Sequence, residues 1–191
     1  MPPKAKFTKE EIIKAALAVV KENGIDALSS RALGKKLGVS SCPIFTAFES
    51  MDEVKKEVVS AAKSKYQSFL REDVEKGEYP EYKACGMAYI RFAKEETELF
   101  KLLYMCDKNG KGDDNGTEEI APIVHSIMDS MGLSEEDATL FHVQNWIYVH
   151  GIATMVATSY LSFDTEFISA SMSDVFNGLR HRFLTKNSGE A

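Results

Sequence analysis

Residues 28–48, LSSRALGKKLGVSSCPIFTAF, contain two short helical patterns on either side of a glycine. Ser29 or Ser30 can cap the first helix, because a serine hydroxyl accepts a hydrogen bond from the free amides of a first turn. Gly38 can end it, since glycine adopts the left-handed conformation without strain. The inward positions of this helix are Ala32, Leu33 and Leu37. Two short helices joined by a turn that contains glycine are typical of a helix-turn-helix, so the stretch predicts this unit.

The second helix is predicted to begin at Ser40 or Ser41 and to run to about Phe48. Pro43 falls in its first turn, where the missing amide hydrogen costs little. Ile44 and Phe48 are four residues apart, so we expect both to face the core. The outward positions are then Ser41, Cys42, Phe45, Thr46 and Ala47. This face is small and weakly polar and can enter a DNA major groove about 12 Å wide, but a hairpin inside any helical bundle has a similar pattern.

The charge of the chain is unevenly distributed. The whole protein of 191 residues has a formal net charge of −6, which by itself argues against a nucleic-acid partner. Residues 1–48, however, hold eight Lys and Arg against four acids, whereas residues 49–191 hold fifteen against twenty-five. A basic N-terminal part on an acidic remainder is expected when only the N-terminal part contacts phosphates, although charges on solvated helix faces also fluctuate.

The composition is that of a globular protein, with 44% hydrophobic and 27% charged residues. No apolar run approaches the ~20 residues that a membrane span needs, and no signal peptide is predicted at the N-terminus. The three cysteines lack any CxxC or Cys/His spacing, and the histidines at 125, 142 and 150 do not share a helix face. We therefore expect a reduced cytoplasmic protein without a metal site or cofactor.

Helical periodicity extends over almost the whole chain and predicts an all-α fold. Thr8-Lys9-Glu10-Glu11 is a capping box that begins the first helix, and Asn23-Gly24 can end it. Ser50-Met51-Asp52-Glu53 is a second capping box, which begins a long helix towards Gly77. Further helices are predicted around 82–92 and at 99–105, 120–131, 134–160 and 165–184, with a loop at 107–118. The predicted domains are a DNA-binding head at 1–49 and a helical ligand-binding and dimerisation domain at 50–191.

The extended string from residue 7 to about 58 resembles the DNA-binding head of the tetracycline-repressor (TetR) family. The resemblance comprises the capped first helix, the link at residues 23–29, the Leu-Gly-Val-Ser motif at 37–40, the aromatic pair Phe45 and Phe48, and the acidic start of the following helix. It implies that the start of the second helix and the length of the third contact DNA. The predicted DNA-binding residues are Ser30, Arg31, Lys36, Ser40, Ser41, Cys42, Pro43, Phe45 and Thr46.

Three positions depart from the family pattern. The family commonly has Tyr, His and Lys where this chain has Phe45, Ala47 and Met51. Three phosphate contacts are therefore absent, and we expect a shallow dependence of DNA affinity on salt, with greater reliance on Lys6, Lys9, Lys35 and Lys36. Thymine methyl contacts and DNA shape are the expected modes of base readout.

By the same resemblance, the last two long helices form a four-helix bundle with those of a second subunit. They carry two apolar stripes, more apolar surface than a single helix pair needs to bury, although packing within one subunit is the alternative. These stripes consist of Phe141, Ile147, Ile152, Met155, Val156, Tyr160, Phe167, Ile168, Met172, Val175, Phe176 and Leu179. The expected assembly is a homodimer, which places the second helix of each helix-turn-helix on one half-site of a double-stranded DNA operator.

Aromatic and soft side chains on the middle helices suit a small apolar effector. The predicted ligand-binding residues are Tyr89, Phe92, Leu103, Tyr104, Met128, Trp146 and His150. Each of them also fits a plain core position. The expected function is a ligand-responsive repressor; a helical protein-interaction adaptor is the alternative. An enzyme is less favoured, because no GxSxG, phosphate-loop or HExxH motif is present.

Overall fold

The computed structural model describes residues 7–40, 44–106 and 115–187. Within these ranges the chain forms eight α-helices and two short 3₁₀ turns, Ile25–Ala27 and Ile44–Thr46, and contains no strand. The all-α fold is therefore confirmed. The helices are α1 (Lys9–Asn23), α2 (Ser30–Leu37), α3 (Met51–Lys76), α4 (Glu81–Glu95), α5 (Thr97–Tyr104), α6 (Asn115–Met131), α7 (Glu135–Ala157) and α8 (Thr165–Asn187).

The predicted cap of α1 is confirmed. The hydroxyl of Thr8 accepts from the backbone amide of Glu11 at 3.2 Å, and the Glu11 carboxylate accepts from the amide of Thr8 at 2.8 Å. The cap of α3 differs in one bond. Ser50 accepts from the amide of Glu53 at 3.2 Å as predicted, but the Glu53 carboxylate accepts from the amide of Glu49 at 2.7 Å. Lys9 donates to the same carboxylate at 3.0 Å, so Glu53 joins the start of α3 to α1.

The chain divides into two compact units. Unit 1 comprises residues 1–72 and 92–106, and unit 2 comprises residues 73–91 and 107–191. Two of the three boundaries between the units fall inside helices, one in α3 and one in α4. The predicted domain division at residue 49 stays a prediction.

The core of unit 1 joins the helix-turn-helix to α1, α3 and α5. Leu33 of α2, Ile44 and Phe48 are buried together with Val54 and Val58 of α3. Helix α5 packs against α1, where Lys21 donates to Glu96 at 2.7 Å. Aromatic residues on α3, α4 and α5 of this unit pack at tilted or edge-to-face angles: Tyr66, Phe69, Phe92, Phe100 and Tyr104.

The core of unit 2 is formed by α6, α7 and α8, with α7 packed against both of the others. Phe141 and Phe183 are almost fully buried, and Phe141 meets Phe176 and Phe183 edge to face at ring distances of 5.3 and 5.8 Å. Buried Asp137, near the start of α7, accepts from Lys186 of α8 at 2.8 Å, so its charge is paired.

Two sequence predictions need correction. The second helix of the helix-turn-helix was expected to be a regular α-helix up to Phe48, but residues 44–46 form a 3₁₀ turn, while residues 41–43 lie outside the described residues. Helix α6 begins at Asn115, inside the predicted loop at 107–118, and contains Pro122. The polar, glycine-rich sequence DKNGKGDDNGTE suggested that α6 begins after residue 118. Polar residues are nevertheless compatible with the first turn of a helix, where the backbone amides have no partner within the helix.

Candidate nucleic-acid interface

Helix α2 is fixed at both ends by local hydrogen bonds. The Ser29 hydroxyl accepts from the amide of Ala32 at 3.2 Å, which confirms the cap and leaves Ser30 as the first helical residue. Gly38 ends the helix in the left-handed conformation, with φ 69° and ψ 30°. The amide of Val39 then donates to the carbonyl of Gly34 at 2.9 Å, so the turn folds back against the helix that it follows.

Gly34 allows this turn to lie close to α2. A Cβ at this position would be 2.9 Å from the carbonyl oxygen of Val39 and 3.3 Å from the carbonyl carbon of Ser40. Both neighbours are backbone atoms, which cannot rotate away as a flexible side chain can. The residue therefore sets the distance between α2 and the chain that leads into residues 44–48, which we call the recognition segment. The spacing of apolar residues did not indicate this role.

The recognition segment has a buried and an exposed side. Ile44 is fully buried and Phe48 is 2% exposed, whereas Phe45 is 47% exposed. The predicted inward and outward positions are thus confirmed for these three residues, and Thr46 is exposed as well. Ser40 precedes the segment and is also exposed, while Ser41, Cys42 and Pro43 lie outside the described residues. The exposed side presents an aromatic ring and small side chains, which suit contact with thymine methyl groups and groove walls.

The cations considered above for contact with DNA fall into two groups. Arg31 and Lys35 are exposed on α2, and no ion pair within the described ranges involves either of them. Lys36 and Lys9, in contrast, pair with Glu22 and Glu53, respectively. Lys6 lies outside the described residues. The structure thus leaves Arg31 and Lys35 available for phosphate, whereas the charge of Lys36 is matched by a carboxylate of its own chain.

The predicted ligand-binding residues do not form one group. Phe92, Leu103 and Tyr104 belong to unit 1, where Phe92 is fully buried. Met128 belongs to unit 2 and packs against the core of α6, α7 and α8. In the remaining three, on α4 and α7 of unit 2, His150 contacts both of the others: it is hydrogen-bonded to Tyr89 and stacked on Trp146. A ligand role for all seven stays a prediction.

Two tyrosine–histidine pairs join α4 to α7 in unit 2. The Tyr82 hydroxyl lies 3.1 Å from Nδ1 of His142, and the Tyr89 hydroxyl lies 2.9 Å from Nδ1 of His150. Burial lowers the pKa of both imidazoles and raises the pKa of Tyr82. Each histidine is therefore neutral near pH 7, and its Nδ1 can accept a hydrogen bond from the tyrosine hydroxyl. Sequence spacing did not indicate these pairs, because their members are 60 or 61 residues apart.

Trp146 lies beside the second of these pairs. Its ring stacks on that of His150 with centroids 4.9 Å apart and an interplanar angle of 16°, while the Trp146 side chain is 43% exposed. Two surface depressions lie away from Trp146. One is in unit 1 between α1 and α3, and its lining includes Ile13 and Leu17. The other lies along the start of α7. Neither depression is lined by a predicted ligand-binding residue.

The two apolar stripes of the last helices are only partly used within the subunit. Four of their residues are buried, namely Phe141, Ile152, Ile168 and Met172. Four others are exposed, at 58% for Ile147, 36% for Met155, 77% for Tyr160 and 52% for Phe167. Gly151, one turn from Ile147 and from Met155, has open space where a Cβ would lie.

Across the described ranges, no helix is long and apolar enough to cross a membrane. In the same part of the chain, no three His, Cys, Asp or Glu side chains are arranged to hold a metal ion.

A chain that is helical throughout its described ranges, with an N-terminal helix-turn-helix and exposed cations on α2, has the architecture of a DNA-binding transcriptional regulator. Residues 12–58 match the family model described as bacterial regulatory proteins of the tetR family, and residues 82–176 match a tetracyclin repressor-like C-terminal domain. The chain belongs to the TetR family of regulators. No single curated protein matches it.

Proposed function

We propose that this regulator is a ligand-responsive repressor that binds its operator as a homodimer through α7 and α8. The observation that carries the dimer is the exposure of Ile147, Met155 and Phe167 on these two helices. Apolar side chains that a subunit leaves exposed on neighbouring elements commonly mark a protein interface. The open space at Gly151 supports close approach of a second helix at the same position.

The dimer is tested by measuring molar mass with light scattering after size exclusion. The wild type is expected at twice the mass of the chain, and Ile147→Glu at the mass of one chain, because a charge in an apolar interface is costly to desolvate. Met105→Glu is the matched control: Met105 is 40% exposed but lies outside α7 and α8. A monomeric wild type, or a variant pair with equal masses, would contradict the proposed interface.

We further propose that DNA is contacted by the predicted residues at the start of α2 and along the recognition segment. Arg31 and Lys35 contact phosphates, and the exposed ring of Phe45 lies against the groove wall. A gel shift with the region upstream of the protein's own gene tests DNA binding. Binding should weaken with salt, because each phosphate contact releases counterions. An absence of salt-sensitive binding to any fragment of this region would refute the proposed operator.

The response to ligand is proposed for unit 2, around Tyr89, Trp146 and His150. The contact of one imidazole, His150, with both a partly exposed indole and a phenol supports an aromatic or otherwise apolar ligand. A coupling free energy of about 1–3 kcal/mol would change DNA affinity about 5- to 150-fold. Mass spectrometry of the purified protein identifies a retained small molecule, and DNA affinity is then measured with and without it. Equal affinities would rule out ligand control by that molecule.

We propose that the protein represses transcription from its operator. We also propose that it acts in the cytoplasm. A reporter driven by the upstream region should increase in expression when the gene for this protein is deleted. A decrease on deletion would instead identify an activator.

A further inference from the structure

We propose that Glu22 withholds Lys36 from the DNA backbone and so lowers the sequence-independent affinity of the regulator. Lys36 Nζ donates to Oε1 of Glu22, which lies fourteen residues earlier in the last turn of α1. Lys36 itself lies in the last turn of α2. The ion pair therefore joins two helices of unit 1, and the Glu22 carboxylate is bound to an ammonium group that could otherwise bind a phosphate oxygen.

The geometry of α2 separates Lys36 from the other cations of this helix. Arg31 and Lys35 are four residues apart and share a helix face, whereas Lys36 is rotated by about 100° from Lys35. The face with Arg31 and Lys35 carries no ion pair in the described part of unit 1. Of three cations on one short helix, the structure thus leaves two for phosphate and neutralises the third.

The Lys36–Glu22 ion pair is expected to act on DNA binding through its charge rather than through the stability of the fold. The side chains of Lys36 and Glu22 are 36% and 57% exposed, and an ion pair with this exposure contributes little to the stability of the fold. Its effect on DNA binding is bounded by the same small free energy, and it should appear in the salt dependence, because every lysine that reaches a phosphate adds about 0.9 to the slope of log affinity against log salt. Such a contact reads no base, so its removal lowers affinity for all sequences alike.

Glu22→Gln tests the proposal in the full-length protein, with fluorescence anisotropy on two duplexes, the upstream region and an unrelated sequence of equal length. The released Lys36 should raise affinity about two- to fivefold at 0.1 M salt and less at 0.3 M, because an exposed ion pair holds the lysine by no more than this factor. The salt slope should become steeper by up to about 0.9. The gain should be equal on the two duplexes. Asp26→Asn is the matched control: Asp26 is exposed, lies four residues away, and takes part in no ion pair within the described residues.

Lys36→Gln provides the second measurement. In the wild-type background it should change affinity less than twofold, since the lysine is already neutralised, and combined with Glu22→Gln it should cancel the gain. Three results would overturn the proposal: a Glu22→Gln gain no larger than that of Asp26→Asn, a gain confined to the upstream region, or a large loss from Lys36→Gln alone. A wild type that binds neither duplex would instead contradict DNA binding itself, so the two failures are distinguishable.

Discussion

Replacing Gly34 with alanine should weaken both the fold of unit 1 and its binding to DNA. Two opposing effects decide the outcome. Alanine in a helix interior is about 1 kcal/mol more favourable than glycine, which alone would stabilise α2. However, the new Cβ would lie 2.9 Å from the carbonyl oxygen of Val39 and 3.3 Å from the carbonyl carbon of Ser40, both backbone atoms.

The contact with the turn outweighs the gain in helix propensity. Overpacking of a well-packed site costs about 1–3 kcal/mol. The turn cannot move away freely, because the amide of Val39 is bonded to the Gly34 carbonyl at 2.9 Å, and loss of this bond costs about 1 kcal/mol more. Since the lost bond and the gain in helix propensity are about equal, we expect the free energy of unfolding to fall by about 1–3 kcal/mol. Restoring the wild-type position of the recognition segment on DNA would require a similar free energy, which corresponds to a roughly 5- to 150-fold loss of affinity.

The assay combines urea unfolding, followed by circular dichroism, with anisotropy on the upstream duplex. Gly178→Ala is the matched control, because Gly178 is also inside a helix but has open space around the added Cβ. This control should be stabilised by up to about 1 kcal/mol. If Gly34→Ala were stabilised as much as the control and bound DNA like the wild type, the argument from close backbone approach would be refuted.

Three further predictions follow from the site. Ser29→Ala removes the cap of α2 and should lower the free energy of unfolding by about 1 kcal/mol. Ser29→Asp is the control, because aspartate also caps a helix and should keep the free energy of unfolding near that of the wild type. Phe45→Tyr places a hydroxyl on an exposed ring and should tighten DNA binding about 2- to 10-fold through one phosphate contact, while an unchanged affinity would place the ring away from phosphate. Burial lowers the pKa of His142 and His150 from the ordinary value of 6.5, so the unfolded chain binds more protons than the folded one below that pH. Stability should therefore fall as pH decreases from about 6.5 towards the lowered pKa values, and a variant with both histidines replaced by glutamine should lose this part of the pH dependence when unfolding is measured from pH 7.5 to 5.

Much of the helical framework was predictable because its signals are local. The Thr8–Glu11 box, the Ser29 cap and the Gly38 terminus each involve residues within four positions of one another, and all three are present. The burial of Ile44 and Phe48 followed from their spacing in the same way. The second helix of the helix-turn-helix was predicted less well, since residues 44–46 form a 3₁₀ turn. The local pattern specified which residues face inward but not which type of helix carries them.

The amino-acid sequence by itself determined that this protein is helical, where most of its helices begin and end, and that a helix-turn-helix of the TetR type occupies its N-terminal part. The tertiary structure alone decided which charges are matched and which rings meet. Lys36 pairs with Glu22, and Tyr89 bonds His150, across separations of 14 and 61 residues. Caps and apolar periodicity act within one or two turns of the chain, whereas ion pairs and ring contacts depend on how helices pack, and this packing is fixed only when the whole core is assembled.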